Sequence, residues 1–187
     1  MSEMFGQSLA VGVDLHSFVE RSSGNYLEIG CFDGYNLASL ASKFPDRKIF
    51  GIDPFISDGH LGNELSIGSS LTDQRHNLYR NIENFENISF FEMTSEDFIK
   101  NHSSRLNEMN ISSIFVDGAH IYDFVVIDCD LAIQCIMNNE KKLGEVIFHD
   151  LHVDDVNRAI EYFKSSCVEK NIECISGGSG KFTLRAA

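Results

Sequence analysis

Two short stretches concentrate side chains able to do chemistry. Residues 115–123 read FVDGAHIYD and residues 148–150 read FHD, so each time an apolar run ends in acid and imidazole. Asp-Gly alone would satisfy a turn, and the histidine three residues after Asp117 exceeds what a turn requires. Aspartates at the ends of adjacent strands stand about 4.8 Å apart and can converge on one cation. Hard oxygen donors partly open to water suit Mg²⁺ or Ca²⁺ better than zinc. An imidazole beside them, His120, can take a proton near neutral pH.

A third stretch, residues 28–34, reads EIGCFDG. Gly30 and Gly34 let the backbone turn sharply and approach a ligand closely. Glu28 suits a ligand bearing ammonium or sulfonium charge, and it would repel a pyrophosphate. Phe32 also stands where the dinucleotide GxGxxG pattern has its second glycine. Asp53, followed by Pro54, ends the run KIFGID. A carboxylate there, about twenty residues after a glycine turn, is placed to accept hydrogen bonds from both ribose hydroxyls of a nucleoside.

These residues need a scaffold, and the hydrophobic pattern describes one. Helical spacing covers about 7–21, and strand-like runs follow at 26–30, 48–53, 88–93, 111–117 and 144–150. Helices are expected between them at 35–44, 72–84 and 122–138, with a further one at 154–168; Thr94 to Asp97 has the form of a capping box opening another. Strand runs at 171–176 and 181–186 close the chain around GGSG. Near-continuous apolar strands alternating with helices predict a parallel sheet covered on both faces. The last two strands, joined by a tight turn, must form an antiparallel hairpin. One domain over 1–187 is expected, with an N-terminal helix within 1–24, a core from 25 to 187, and a loop at 54–70 that could cover a pocket.

A formal net charge of -13 opposes both nucleic acid and anionic lipid. Glu3 and Asp14 near the start, and no long apolar run, point to a cytoplasmic protein. Cys31, Cys129, Cys135, Cys167 and Cys174 contain no CxxC pair and read as reduced core thiols. His152, Asp154 and Asp155 read as loop and helix-start residues. GGSGKF lacks the first glycine of a phosphate loop and reads as the hairpin turn.

The E-x-G-x-x-x-G turn and the closing hairpin together resemble the class I S-adenosylmethionine-dependent methyltransferases, over most of residues 25 to 185. The resemblance implies an α/β, Rossmann-like sandwich on a mostly parallel seven-stranded sheet, its seventh strand inserted antiparallel beside the fifth. It implies cofactor contacts from Glu28, Gly30, Cys31, Phe32, Gly34, Asp53, Pro54 and Asp117. Ser95 and Glu96 stand where small O-methyltransferases similar to catechol O-methyltransferase hold the adenine, although a helix cap explains them as well. Metal-assisted members carry an aspartate after strand four, here Asp117, and an acidic pair or Asp-Asn after strand five. His149-Asp150 departs from both versions, with His149 a candidate third ligand. His120 stands where the catechol O-methyltransferase-like enzymes place a catalytic lysine. The VDGAH and FHD pair also looks like a bacterial branch acting on sugars and other small molecules.

The expected activity is therefore methyl transfer from S-adenosylmethionine to a hydroxyl of a small acceptor, assisted by Mg²⁺ or another divalent cation. No nucleic-acid or membrane partner is expected, and a homodimer stays open. KKLGE, in place of Pro-Gly-Gly before strand five, keeps open a nucleoside-binding partner subunit without chemistry. A nicotinamide oxidoreductase is disfavoured by the acid before Gly30 and by the hairpin.

Overall fold

A computed structural model describes residues 13–56 and 70–186. Seven strands form one sheet: β1 (Asn25–Ile29), β2 (Ile49–Ile52), β3 (Ile88–Phe91), β4 (Ile111–Val116), β5 (Leu143–Phe148), β6 (Ile172–Gly178) and β7 (Lys181–Ala186). Their spatial order is β3-β2-β1-β4-β5-β7-β6. The first five pair in parallel, and β7 enters antiparallel between β5 and β6, as the closing hairpin predicts. β4 is buried along its whole length, which is why its residues alternate so little in polarity.

Around the sheet stand α1 (Leu15–Arg21), α2 (Tyr35–Lys43), α3 (Leu71–Ile82), α4 (Ser95–His102), α5 (Leu106–Met109), α6 (Tyr122–Asn138) and α7 (Asp154–Glu169). Asp14 caps α1 by accepting from the Ser17 amide; residues 7–12 of the helix expected over about 7–21 lie outside the described residues. Ser70 and Asp73 form a reciprocal capping box on α3. Thr94 accepts from the Asp97 amide and starts α4. The segment that follows then tightens into a 3-10 turn over Ser103–Arg105 before α5, which Asn110 stops in the left-handed region at φ 46°. The predicted loop at 54–70 lies mostly outside the described residues.

Two apolar layers result. Leu27, Ile114, Val146 and Phe148 belong to one, with α6 and α7; Tyr26, Ile49, Phe115 and Ile147 belong to the other, with α1 and α2. In the first layer Phe148 packs edge-on against Phe163 of α7, with ring centroids 5.0 Å apart, and both rings meet Phe182 of β7 at 5.9 and 5.6 Å. This trio ties the end of β5 to the hairpin strand and to the helix behind it. Edge-to-face rings add to the burial of apolar area.

Phe163 is fully buried. Phe163→Ala is expected to lower unfolding free energy by about 3–5 kcal/mol, read from urea denaturation. A loss within about 1 kcal/mol would show that the trio is not structural.

Candidate active site

Register builds the site. Ile29 pairs with Ile52 on one side and Val116 on the other, and Val116 pairs with Phe148. Four strands thus end in one row, and the next residues, Gly30, Asp53, Asp117 and His149, line the carboxyl edge of the sheet. The ladder runs one step further: Gly30 N donates to Ile52 O (2.9 Å), Asp117 N to Ile29 O (2.8 Å) and His149 N to Val116 O (3.0 Å). Ligands of open α/β sheets bind beyond this edge.

Gly30 has φ +84°, and a Cβ there would lie 2.1 Å from the carbonyl oxygen of Asp117. Only glycine lets the turn after β1 lie against the end of β4. Gly34, at φ +74°, opens α2 under Leu78 of α3. Cys31 is buried, its thiol aimed at the carbonyls of Ile52 and Glu28, while Phe32 takes a left-handed φ of 49°. Asp53 braces the whole turn. Its Oδ2 accepts from the amides of Cys31 (2.8 Å) and Phe32 (3.1 Å), and its Oδ1 from Phe55 (2.8 Å), across Pro54. Burial raises its pKa above the usual carboxylate range even against these three amides.

Glu28 is 1% exposed. Its Oε1 accepts from Asn36 Nδ2 at 2.8 Å, and its Oε2 has no hydrogen-bond partner among the described residues. Burial first, then the nearby Asp117, Asp53 and Asp33, push its pKa well up. Among the described residues, no Lys, Arg or His hydrogen-bonds to it, and a buried carboxyl without such a partner favours its neutral form.

The second cluster stands beside the first. Nδ1 of His149 lies 2.9 Å from Asp117 Oδ1 and 3.0 Å from Asp150 Oδ2, and His120 Nε2 lies 2.7 Å from Asp150 Oδ2. Asp150 takes φ +50°, a conformation aspartate tolerates better than most residues, and this aims its carboxylate back at both histidines. Ligand atoms of Asp117, His149 and Asp150 all fall within 4.8 Å of one another, close enough for one cation to reach all three. A cleft of about 10 Å³ lies among Asp117, His120, His149 and Asp150. Contact with Asp117, against the cost of burial, holds the His149 imidazole at about 9. Burial raises Asp117; at Asp150 the two histidines outweigh burial and lower it. His152 stays on the rim, 80% exposed, 3.8 Å from Asp150.

At the end of β3 the predicted residues part. Ser95 is buried and its hydroxyl donates to Asp128 of α6, whereas Glu96 is exposed and pairs with Lys100 at 2.9 Å. Two features escape the sequence reading. Glu92 accepts from Arg75 Nε (2.8 Å) and Tyr79 (2.7 Å), tying α3 to the strand end. Asp128 is 5% exposed, close under Gly118. Its spacing from Val125 and Ala132 on the buried face of α6 is the signal that could have found it.

A sheet of this order, with its glycine turn and carboxyl-edge cluster, has the Rossmann-like fold of class I methyltransferases. Many solved structures share it. The O-methyltransferase NovP superposes with a TM-score of 0.58 at 15% identity, covering 92% of this chain and 76% of its own. The mycinamycin-pathway methyltransferase MycE, in complex with Mg, SAH and mycinamycin VI, gives 0.55 at 15% identity, covering 93% of this chain and 47% of its own. Fibrillarin, in its complex with Nop5p, gives 0.52 at 13% identity, covering 90% of this chain and 77% of its own. The likeness is one of fold. By sequence, no protein-family model and no curated protein matches the chain.

Burial pushes Asp128 to about 7, against the hydrogen bond from Ser95. An unfolded aspartate titrates near about 3.9, so the folded chain holds a proton that the unfolded chain releases. That contribution is complete below the unfolded value and lost as pH rises through about 7. Asp128→Asn is therefore expected to flatten stability between about pH 4 and 7 and to stabilise the protein by up to about 4 kcal/mol at pH 8. Parallel pH profiles for both proteins would contradict this.

Proposed function

We propose that the chain transfers a methyl group from S-adenosylmethionine to a hydroxyl oxygen of a small acceptor, with a divalent cation held by Asp117, His149 and Asp150. The carrying observation is that one sheet edge presents both a buried acid, Glu28, whose Oε2 has no hydrogen-bond partner among the described residues, and an Asp-His-Asp cluster alongside. The donor set fits a dication: two carboxylates and an imidazole nitrogen, close enough to share one ion. S-adenosylmethionine would supply a sulfonium-activated methyl and the cation would acidify the acceptor hydroxyl.

Glu28 would meet the positively charged end of the methyl donor, and the turn at Gly30 to Phe32 would let it approach the backbone. With three backbone amides on its carboxylate, Asp53 holds that turn in shape and would offer a ribose what hydrogen-bonding capacity it retains. Asp150 orients His120 through Nε2, and the imidazole takes the acceptor proton. Transfer would break the sulfur–methyl bond as the oxygen–methyl bond forms, giving S-adenosylhomocysteine, a methyl ether and the hydroxyl proton, which His120 would take up. A small hydroxylated molecule is the acceptor class; an acidic surface supports neither nucleic acid nor membrane as substrate.

The engagement of Asp53 with its own turn favours, as a second reading, a nucleoside-binding subunit without turnover. Binding without transfer to any of a broad panel of hydroxylated acceptors would select it. The antiparallel β7 speaks against a nicotinamide enzyme.

Calorimetric titration is expected to show micromolar binding of S-adenosylhomocysteine and none of NAD. Binding should release a proton, because the raised pKa of Glu28 falls when an ammonium group arrives. The enthalpy would then vary with the buffer's ionisation enthalpy. Glu28→Gln should abolish that dependence and weaken binding about 10- to 100-fold. Proton uptake, or a preference for NAD, would overturn the reading.

His120→Ala should leave S-adenosylhomocysteine affinity unchanged and lower kcat by about 10²–10⁴. Unchanged turnover would remove His120 from the mechanism.

A further inference from the structure

The cation expected from a cluster of aspartates is magnesium or calcium, since these hard ions take oxygen ligands almost exclusively. Here the first residue after β5 is a histidine. Its ring is not a bystander, because Nδ1 stands between the two carboxylates, 2.9 Å from Asp117 Oδ1 and 3.0 Å from Asp150 Oδ2. Both separations are short, yet neither oxygen lies where a hydrogen on Nδ1 would make an aligned bond, and the atom itself is buried. Nδ1 thus sits within 3.0 Å of one oxygen of each carboxylate, and donor atoms of all three residues lie within 4.8 Å of one another. The backbone keeps it there: His149 N is tied to Val116 O at 3.0 Å, and Phe115 packs on the ring at 6.0 Å between centroids.

We infer that His149 makes this a site for a first-row transition-metal dication in preference to Mg²⁺. The inference rests on the reading of Asp117, His149 and Asp150 as the cation site. An imidazole nitrogen gains little with Mg²⁺ and much along the series from Mn²⁺ to Zn²⁺. Asp117 and Asp150 supply charge that any dication would accept; His149 alone discriminates. Replacing the nitrogen by a third carboxylate oxygen should return the site to the all-oxygen set that Mg²⁺ favours.

Co²⁺ and Mg²⁺ are the probes, because Co²⁺ reports its ligands by visible absorption and Mg²⁺ is silent. Wild-type protein titrated with Co²⁺ should develop absorption bands that Mg²⁺ removes only at large excess. In His149→Asp the ratio of Mg²⁺ to Co²⁺ dissociation constants should fall on the order of tenfold or more. Both proteins are titrated with S-adenosylhomocysteine in the same buffer, and circular dichroism confirms that the variant is folded. If the variant fails to fold, the wild-type competition still decides the matter. Displacement of Co²⁺ by equimolar Mg²⁺, or an unchanged ratio in the variant, would overturn the inference. Wild-type protein that binds S-adenosylhomocysteine but neither dication would overturn it and leave methyl transfer standing. Binding of Co²⁺ without S-adenosylhomocysteine would do the reverse.

Discussion

The carbonyl oxygen of Asp117 lies 2.1 Å from the point a side chain at residue 30 would occupy. That contact can exist only over a glycine in a left-handed conformation, and most of the site depends on it. It lets the turn after β1 close onto the end of β4. Glu28 and the backbone of Cys31 and Phe32 then share an edge with Asp117, His149 and Asp150. The amides of Cys31 and Phe32 donate to the Asp53 carboxylate, and these bonds brace the turn. Any larger residue at position 30 would separate the two halves of the site before disturbing the core beneath them.

Bringing these groups together gathers negative charge in a poorly solvated place. Burial raises Glu28, Asp53 and Asp117, and at Glu28 the neighbouring Asp117, Asp53 and Asp33 add to it. Such an edge is electrostatically unfavourable when empty and is relieved by cations. The histidines supply part of that relief at Asp150, whose carboxyl they hold low. Among the described residues, the side chain that hydrogen-bonds Glu28 is a neutral amide, Asn36. The two cationic species proposed for the site, an aminoacyl sulfonium and a metal dication, answer the two halves of this imbalance separately. The scaffold beneath can bear the strain because it is apolar on both faces, with the aromatic trio of Phe148, Phe163 and Phe182 anchoring the end of β5.

Much of this was legible in the order of residues. Apolar runs stop where burial stops, so the strand ends and the residues following them could be read directly, and the tight connection at residues 177–180 required β7 to turn antiparallel. Side-chain allegiance was less legible. Asp53 reads as a ribose acceptor, yet its first partners are three amides of neighbouring turns, a contact between segments that spacing does not encode. Ser95 turns inward to Asp128 because that acid is buried on α6, and a lone acid within a helix gives little warning of its orientation. Thr94 announces its helix, but the break between α4 and α5 has no glycine or proline to mark it. The placing of the Asp150 carboxylate beside both histidines goes with the left-handed φ of Asp150, which sequence pattern does not specify.

The central claim is that the edge formed by β1 and β4 is a binding site for an adenosyl amino acid. Its most direct test is a crystal structure of the protein grown with S-adenosylhomocysteine. The account predicts the ligand's ammonium group within hydrogen-bonding distance of the Glu28 carboxylate, with its sulfur facing Asp117 and Asp150. Ligand bound away from the turn at Gly30, or an edge left empty at saturating concentration, would contradict it.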